Sequence, residues 1–428
     1  MSEVFRIEGG HPIGGTIRPS GNKNAALPLI CASLLTEETV TLRNVPKIRD
    51  VEVLLMLLGE LGVSVGWQGE NTLELNAQGL DRTDVSPERA TQIRASILLA
   101  GPLLARLGRA EIPPPGGDVI GRRRLDTHVL ALSTLGAVPQ SSLRRLEFRT
   151  AGLRGADVFL DEASVTATEN AIMAATLAEG ETILSNAASE PHVQDLCRLL
   201  VSMGADIEGI GTNRLVIRGQ TRLRGADYTL GPDYIEVGSM IALAAVTGGE
   251  LRIEDARPAE HRATRIAFGR LGVDFQDDGE DIVVPGAQEL KVRPDLGGAI
   301  PKIEDAPWPG FPADLTSLAV VTATQCEGTV LIFEKLFESR LFFTDRLSGM
   351  GARLILCDPH RVVVTGRAQL YGTSLVSPDI RAGMALVIAA LCARGTSVIQ
   401  NVQQVDRGYA RIDERLRSLG ARIERRRE

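Results

Sequence analysis

The chain contains 428 residues, of which 44% are apolar and 24% charged, and its formal net charge is −7. These values are typical of a globular protein and exclude an intrinsically disordered chain. Because hydrophobic cores stop growing beyond roughly 250–300 residues, we expect two domains. No apolar run approaches the roughly 18 residues of a membrane span, and the first residues are rich in charge, so we expect a soluble, cytoplasmic protein without membrane partners.

The basic residues and cysteines narrow the chemistry further. Only five lysines accompany 42 arginines in an acidic chain. This balance argues against nucleic-acid binding but permits a local arginine cluster for an anionic small molecule. The five cysteines and five histidines show neither CxxC nor HxxxH spacing. We therefore expect reduced cysteines in the core, and neither a metal ion nor a cofactor.

An internal repeat organises the chain. An apolar residue, a glycine and then alanine or valine recur six times, with steps of 74, 68, 68, 79 and 69 residues between the glycines. The glycines are Gly62, Gly136, Gly204, Gly272, Gly351 and Gly420. Helical periodicity precedes each glycine, which ends the helix. A hairpin is predicted to follow, as in residues 205–208 with 215–217.

A second series marks helices of small residues that end and lead into a strand. Its members are residues 36–38, 106–108, 178–180, 247–249, 326–328 and 393–395. The two series predict six units of strand, helix, two strands, helix and strand, so the fold class is α/β. Fourteen residues before the end of each member, the helix starts carry Asn24, Arg94, Thr166, Ile235, Asp314 and Arg381.

Five of these six helix starts are polar or charged. Because free N–H groups and the helix dipole attract anions, we expect the helix starts to surround a multiply charged anion. The alternative interpretation is ordinary capping by nearby serines such as Ser164 and Ser377. Capping explains Thr166 equally well, but it explains Arg94 and Arg381 less well, since a cation opposes the dipole at a helix N-terminus.

Other segments also suit anion chemistry. Lys23 opens the first helix and adds a point charge that binds phosphate. Residues 116–124 form a glycine-punctuated loop with Asp118 among three arginines, which either closes over a substrate or is a solvated basic loop. Residues 378–381 contain Asp379 and Arg381, for which a plain surface ion pair is the alternative.

The motifs together resemble a known family, the enolpyruvyl transferases, over about residues 4–424. The matching segments are residues 21–26, 94–96, 115–121, 164–170, 190–191, 311–314, 337–340, 379–382 and 406–409. The resemblance implies two inside-out α/β barrels, each of three βαββαβ repeats. One domain would comprise residues 22–230, and the other would comprise residues 1–21 with 231–428.

The likeness is greatest to the sugar-nucleotide branch of the family. It implies transfer of the enolpyruvyl group of phosphoenolpyruvate to the 3′-hydroxyl of UDP-N-acetylglucosamine, the first committed step of peptidoglycan synthesis, by a monomer or weak homo-oligomer. The implied catalytic residues are Asp118, Asp314, Lys23 and Arg407, with Asp379 and Glu190 in support. Phosphoenolpyruvate would contact Lys23, Asn24, Arg123, Arg340, Arg381 and Arg407. The sugar nucleotide would contact Arg94, Arg123, Arg124, Leu125, Asp126, Thr127, Glu162, Ala163, Ser164, Val165, Asp314 and Leu336.

The loop acid departs from the family pattern. Most members have a cysteine at the position of Asp118, and that thiol is the target of the epoxide antibiotic fosfomycin. A carboxylic acid also donates a proton where its surroundings oppose ionisation, although the adjacent arginines favour ionisation. We therefore expect the loop to close over a bound anion that offsets their charge. We also expect an active enzyme that is insensitive to fosfomycin.

Three other departures, at Arg124, Glu162 and Tyr234, leave the acceptor open. One alternative is an enolpyruvyl transferase with another acceptor, either a different sugar nucleotide or shikimate 3-phosphate. The Asp-Arg-Gly-Tyr segment at residues 406–409 argues against the shikimate branch. The other alternative is a non-catalytic paralogue that binds a nucleotide sugar, against which the retention of Lys23 and Asp314 argues.

Overall fold

The computed structural model describes residues 3–142 and 145–427. The strands are β1 (Glu3–Glu8), β2 (Gly15–Ile17), β3 (Val40–Arg43), β4 (Ser64–Gln68), β5 (Thr72–Asn76), β6 (Arg109–Ile112), β7 (Val138–Ser142), β8 (Arg145–Arg149), β9 (Asp157–Phe159), β10 (Glu181–Ser185), β11 (Asp206–Glu208), β12 (Arg214–Arg218), β13 (Ala226–Thr229), β14 (Leu251–Ile253), β15 (Gln276–Asp278), β16 (Asp281–Val284), β17 (Lys302–Glu304), β18 (Gly328–Phe333), β19 (Leu354–Asp358), β20 (Arg361–Gly366), β21 (Ser374–Val376), β22 (Thr396–Gln400) and β23 (Arg422–Arg427).

The α-helices are α1 (Lys23–Ala32), α2 (Arg49–Glu60), α3 (Pro87–Ala90), α4 (Ala100–Leu107), α5 (Asp126–Thr134), α6 (Val165–Ala175), α7 (Pro191–Ser202), α8 (Tyr234–Thr247), α9 (Arg262–Gly269), α10 (Thr316–Thr324), α11 (Thr344–Gly349), α12 (Ile380–Cys392) and α13 (Ile412–Ser418). Short 3₁₀ segments cover Ser33–Leu35, Arg94–Leu99, Pro258–His261, Leu296–Gly298, Ala313–Leu315, Arg340–Phe343 and Val402–Arg407.

The chain divides into two compact units. The terminal unit runs from β1 to Ser20 and from Pro232 to β23, and it also contains Val119–Arg122. The middle unit comprises Gly21–Asp118 and Arg123–Gly231. Both boundaries lie within one residue of those expected from the family resemblance.

The segment Val119–Arg122 differs from that expectation, which assigned it to the domain of residues 22–230. The structure groups it with the terminal unit because its backbone bonds to residues of that unit. The N–H of Arg122 donates to Glu338 Oε1 at 2.8 Å, and the N–H of Ser339 donates to the Ile120 carbonyl at 3.0 Å.

Each unit contains three sheets among the described residues. In the terminal unit the strand orders are β21-β22-β1-β23, β15-β16-β14-β2 and β17-β18-β20-β19, and in the middle unit they are β13-β3-β5-β4, β11-β12-β10-β9 and β6-β8-β7. Each four-stranded sheet combines one parallel pair with two antiparallel pairs. The predicted hairpin is confirmed, since β11 pairs antiparallel with β12.

Helices fill the interior of each unit. In the terminal unit α8, α10 and α12 pack against one another, and every residue of α12 except Cys392 is buried. A helix that is apolar on all sides is stable only when it is enclosed, and here the apolar faces of the sheets enclose it, as Phe5 on β1 and Ile332 on β18 illustrate. In the middle unit, α6 packs against α4 and α5. The predicted α/β fold is confirmed.

The outer helices end where the repeat predicts. Each of α2, α5, α7, α9, α11 and α13 is followed within three residues by one of the six repeat glycines, whose φ angles lie between 79° and 102°. This left-handed backbone favours glycine, which has no Cβ to clash. On α2 the predicted apolar face is confirmed, since Leu54, Leu57 and Leu58 are buried whereas Met56 is half-exposed.

Candidate active site

A carboxylate in the terminal unit lies within reach of two guanidinium groups. Asp314, in the 3₁₀ turn before α10, accepts a hydrogen bond on Oδ1 from Arg340 Nη2 at 3.0 Å. Its Oδ2 accepts one from Arg381 Nε at 3.1 Å. Both arginine side chains are almost fully buried, and that of Asp314 is 28% exposed. The carboxylate is therefore held in one orientation and remains accessible to a ligand.

The two arginines are stabilised by further groups of the same unit. Arg340 lies 3.6 Å from Glu334 Oε2 and over the Phe337 ring. Burial opposes the charged form of Arg381, but Asp314 and Tyr409 outweigh it, so the pKa of Arg381 is above its ordinary value. Burial also raises the pKa of Glu334 to about 8. The cluster therefore combines two fixed cations with one oriented carboxylate.

Asp379 is a helix cap and not a surface partner of Arg381. Its Oδ1 accepts hydrogen bonds from the N–H groups of Arg381 and Ala382, at 2.8 and 2.9 Å. Both Asp379 and Arg381 are buried. The surface ion-pair alternative is therefore wrong, and so is capping by Ser377, whose hydroxyl donates to the main-chain oxygen of Asp379 instead.

Arg407 and Leu336 lie in other segments of the terminal unit. Arg407 is buried and donates to Gln404 Oε1 at 3.0 Å. The preceding residue, Asp406, accepts two hydrogen bonds from Arg425 on β23, which anchors this segment to the sheet. The Leu336 side chain is exposed, and its N–H donates to the buried Asp305 at 3.2 Å.

In the middle unit, Lys23 begins α1 and is buried. Its Nζ lies 2.8 Å from Asp50 Oδ2, and Asn22 caps the helix by accepting from the N–H groups of Asn24 and Ala25. Glu190 immediately precedes α7. Burial, together with the charge of Glu190, raises the pKa of Glu169 well above its ordinary value.

Arg94 is held by the main chain of the segment that follows the loop. Its Nη2 donates to the carbonyl oxygens of Arg123 and Arg124, at 2.9 and 3.3 Å. Burial and the nearby charge of Arg123 lower the pKa of Arg94 to about 10. Arg94 is therefore a largely buried cation that main-chain oxygens hold in place.

Two departures from the family pattern lie together in the middle unit. Arg124 Nη2 is 3.5 Å from Glu162 Oε2 and 3.2 Å from Asp161 Oδ2. Asp161 also accepts from the hydroxyl of Thr127 at 2.7 Å. Arg124 and Glu162 carry opposite charges, so the two departures partly offset each other locally. The remaining expected contacts, Leu125 with Asp126 and Ala163–Val165, lie at the starts of α5 and α6.

The loop of residues 116–122 leaves the middle unit after Asp118. It then contains the segment Val119–Arg122, which the structure groups with the terminal unit. Asp118 is half-buried, Val119 is exposed and Ile120 is buried. At Gly121, φ is +135°, and an added Cβ would lie only 2.4 Å from Glu338 Oε2. The positive φ favours glycine here, and a larger residue would also displace the Glu338 side chain. The segment is partly ordered by these contacts, while Val119, Arg122 and Arg124 remain exposed.

One buried histidine near the predicted contacts lies in no sequence motif. His128 lies on α5, between Asn170 and Thr166, with ring nitrogens 3.0 and 3.1 Å from their side chains. From sequence alone, an isolated histidine in a periodic helix is predicted to be part of the core. The polar partners of His128 lie on α6, which is distant in the sequence.

The comparisons with known proteins identify the class. The family model of EPSP synthase (3-phosphoshikimate 1-carboxyvinyltransferase) matches residues 7–416. The chain therefore belongs to this family of enolpyruvyl transferases, which confirms the resemblance seen in its motifs.

Within the family, the chain is 59% identical over 421 residues to the UDP-N-acetylglucosamine 1-carboxyvinyltransferase of Bradyrhizobium diazoefficiens, covering 98% of this chain and 97% of that protein. It is 58% identical over 420 residues to the enzyme of the same name from Treponema denticola, covering 98% of each. Among solved structures, the enolpyruvyl transferase NikO from Streptomyces tendae matches with a TM-score of 0.88 at 24% identity over 99% of each chain. That structural match supports the fold alone.

Other expectations concern cysteines, metals and membranes. Cys31, Cys197 and Cys326 are buried and Cys392 is half-buried, but Cys357 is exposed, so the expectation that all five lie in the core is wrong. Within residues 3–142 and 145–427, no three histidine, cysteine or acidic side chains are grouped to hold a metal ion. No helix in the same ranges has both the length and the apolar character needed to cross a bilayer.

Proposed function

We propose that the protein transfers the enolpyruvyl group of phosphoenolpyruvate to the 3′-hydroxyl of UDP-N-acetylglucosamine and releases phosphate. This reaction is the first committed step of peptidoglycan synthesis, and we place it in the cytoplasm with the protein acting as a monomer or weak homo-oligomer. The observation that carries the proposal is the 59% identity over 98% of the chain to a UDP-N-acetylglucosamine 1-carboxyvinyltransferase.

The reaction proceeds by addition and elimination. A proton is added to the methylene carbon of phosphoenolpyruvate, while the sugar hydroxyl attacks the neighbouring carbon and loses its own proton. The resulting tetrahedral ketal carries a methyl group, a carboxylate, a phosphate and the sugar oxygen. Loss of phosphate and of one methyl proton then restores the double bond. The chemistry requires an acid, a base and fixed cations.

Asp314 takes the proton of the sugar hydroxyl. Its carboxylate is oriented by Arg340 and Arg381, and its partial exposure leaves room for a substrate group. Asp118 supplies the proton to the methylene carbon from the glycine-rich loop. Docking of the residues after it, through Arg122 and Ile120, supports a defined position for this acid.

The cations and donors of the two units hold the substrates. Phosphoenolpyruvate is bound by Lys23, Asn24, Arg123 and Arg407, with Arg340 and Arg381 nearby. The sugar nucleotide is bound by Arg94, residues 123–127, residues 162–165 and Leu336. The positive charge at Arg94 supports an anionic ligand in the middle unit.

One assay tests the proposal directly. Purified protein is given phosphoenolpyruvate with either UDP-N-acetylglucosamine or shikimate 3-phosphate, and phosphate release is measured. Release only with the sugar nucleotide is expected. Release only with shikimate 3-phosphate assigns a different acceptor, and binding of the sugar nucleotide without release identifies a non-catalytic protein.

The same assay tests the role of Asp118 as the proton donor. Asp118→Asn should abolish turnover while retaining sugar-nucleotide binding, because the amide cannot donate the required proton. Unchanged turnover would show that the proton comes from another group. Asp345→Asn is the matched control, since the Asp345 side chain is 87% exposed.

A further inference from the structure

Two further carboxyl groups are enclosed beside the Asp314 cluster in the terminal unit. Asp305 directly follows β17 and Glu334 directly follows β18, and these two strands pair in parallel. Because neighbouring strands lie only about 4.8 Å apart, residues that follow paired parallel strands are close together. Both side chains are buried, and Arg340 lies against Glu334.

The main chain stabilises a negative charge on Asp305 more than on Glu334. The Oδ1 of Asp305 accepts a hydrogen bond from the N–H of Lys335, and its Oδ2 accepts one from the N–H of Leu336 at 3.2 Å. Glu334 accepts only the N–H of Phe337, on Oε1 at 3.2 Å. Its Oε2 makes no hydrogen bond within residues 3–142 and 145–427. Of the two neighbouring carboxyl groups, Glu334 is therefore the one that holds a proton.

The groups that face Glu334 from the surrounding elements agree with this assignment. Burial raises the pKa of Glu334 to about 8, and the charge of Asp305 adds to that effect. The charge of Arg340 and the hydroxyl of Thr316, at the start of α10, act in the opposite direction. His360, in the turn between β19 and β20, meets only the main-chain carbonyl of Glu334, at 2.7 Å from its Nδ1. The Glu334 side chain is therefore mostly neutral at pH 7.

The guanidinium group of Arg340 faces two carboxyl groups at different distances. Its Nη2 donates to Asp314 Oδ1 at 3.0 Å, whereas its Nε is 3.6 Å from Glu334 Oε2. That Nε makes no hydrogen bond to any described residue. The longer distance exceeds the range of about 2.7–3.2 Å for an N–H···O bond, which suits a neutral Glu334. A charged carboxylate at the same place would attract Nε into bonding distance.

We propose that Glu334 is a positioning residue that acts through Arg340 on Asp314. With a proton on Glu334, Arg340 keeps its bond to Asp314 and holds that carboxylate towards the sugar hydroxyl. When the proton passes to solvent, a second carboxylate competes for Arg340, and Asp314 loses its fixed direction. The inference rests on the proposed function, to which it adds a pH-dependent control of the base.

The pH profile of kcat, with both substrates saturating, tests the proposal. In the wild-type protein kcat should fall by about tenfold between about pH 7 and pH 10, the factor that corresponds to loss of one hydrogen bond to a charged group. Glu334→Gln stays neutral at every pH, so its kcat should fall at least about fivefold less over the same range. Glu327→Gln is the matched control, because the Glu327 side chain is 70% exposed, and its profile should match that of the wild-type protein.

Asp305→Asn is an independent second variant, which carries the test if Glu334→Gln does not fold. It removes the charge that adds to the effect of burial on the pKa of Glu334, so the fall in kcat should begin at a lower pH. A merely structural role would lower kcat by the same factor at every pH, and that result would overturn the inference.

A wild-type profile in Glu334→Gln would also overturn it. Failure of the proposed function is seen separately, because the wild-type protein would then release no phosphate with UDP-N-acetylglucosamine at any pH.

Discussion

The two units differ in how they compensate the arginines at their helix starts. In the terminal unit, Arg340 and Arg381 are buried and both donate to the Asp314 carboxylate. In the middle unit, Arg94 donates to two main-chain oxygens and has no ion pair with any described residue. Carbonyl oxygens orient a guanidinium group but do not cancel its charge.

The difference separates two kinds of chemistry. A carboxylate fixed between two cations has a defined direction, which suits it to take a proton from a positioned hydroxyl. Burial and the nearby charge of Arg123 disfavour the charged form of Arg94, as its lowered pKa shows, and a bound anion would offset that cost. The Asp314 cluster is therefore suited to proton transfer, and the surroundings of Arg94 are suited to anion binding.

The largest predicted effect concerns Asp314. Asp314→Asn should lower kcat by about a hundredfold to ten-thousandfold, because the amide cannot accept the proton of the sugar hydroxyl. Steady-state kinetics measure the change, with Asp345→Asn as the exposed control. A loss of less than about tenfold would assign the base elsewhere and remove the proton-transfer role from the terminal unit.

Fosfomycin tests the acid of the middle unit. An epoxide is opened readily by a thiolate, and Asp118 presents a carboxylate instead, so the wild-type protein should keep its activity after prolonged incubation. Asp118→Cys should lose activity with time under the same conditions. Rapid inactivation of the wild-type protein would contradict the account of the loop.

The stabilities of two variants test whether a carboxylate compensates the buried arginine in each unit. Arg381→Gln should lower the free energy of unfolding by about 3 kcal/mol, since it leaves Asp314 short of a buried partner. Arg94→Gln should change it by less than about 1 kcal/mol, because a repulsion is lost together with two hydrogen bonds. It should instead weaken sugar-nucleotide binding by about tenfold. Urea unfolding measures the two changes in unfolding free energy, and calorimetry measures the sugar-nucleotide affinity. A larger loss of stability in Arg94→Gln than in Arg381→Gln would contradict the comparison.

A pH dependence of stability is carried by one histidine in each unit. Burial lowers the pKa of His128 to about 3 and that of His261 to about 4, from 6.5. The unfolded chain therefore binds more protons than the folded one between these values. The contribution of each histidine to stability should therefore fall as the pH drops from 6.5 towards 4, by up to about 1.4 kcal/mol per pH unit. The raised pKa values of Glu169 and Glu334 act in the opposite direction over part of this range.

Urea unfolding at several pH values measures this slope. His261→Gln should lower the slope of unfolding free energy against pH between about pH 4 and 6.5, whatever its effect on stability at neutral pH, because it removes a group that gains a proton on unfolding. A slope that stays the same in the variant would show that His261 is not responsible.

The repeating features of the fold were predictable from the sequence. The repeat glycines and the apolar inner helices are local signals, because a helix end needs a left-handed residue and a helix without a polar face must be enclosed. The polar helix starts also marked Asp314 and Arg381 before their contact was known. Their pairing with Arg340 depends on how separate repeats pack, which no local pattern contains.

Three features of the site could not be predicted from the sequence, because they also depend on how distant segments pack. A surface ion pair stayed open for Asp379 because its capping bonds depend on backbone direction. Arg124 and Glu162 read as separate departures because only packing places them together. His128 read as a core residue because its partners are supplied by Asn170 and Thr166 on another helix.

The central claim is that the protein adds and then eliminates across phosphoenolpyruvate, with UDP-N-acetylglucosamine as acceptor. Mass spectrometry of the product formed in D₂O tests it most directly, because the ketal carries a methyl group that has gained one solvent deuteron and then loses one hydrogen or deuterium. We predict an enolpyruvyl ether of UDP-N-acetylglucosamine with deuterium on its vinyl carbon. A product without deuterium, or no such ether, would contradict the account.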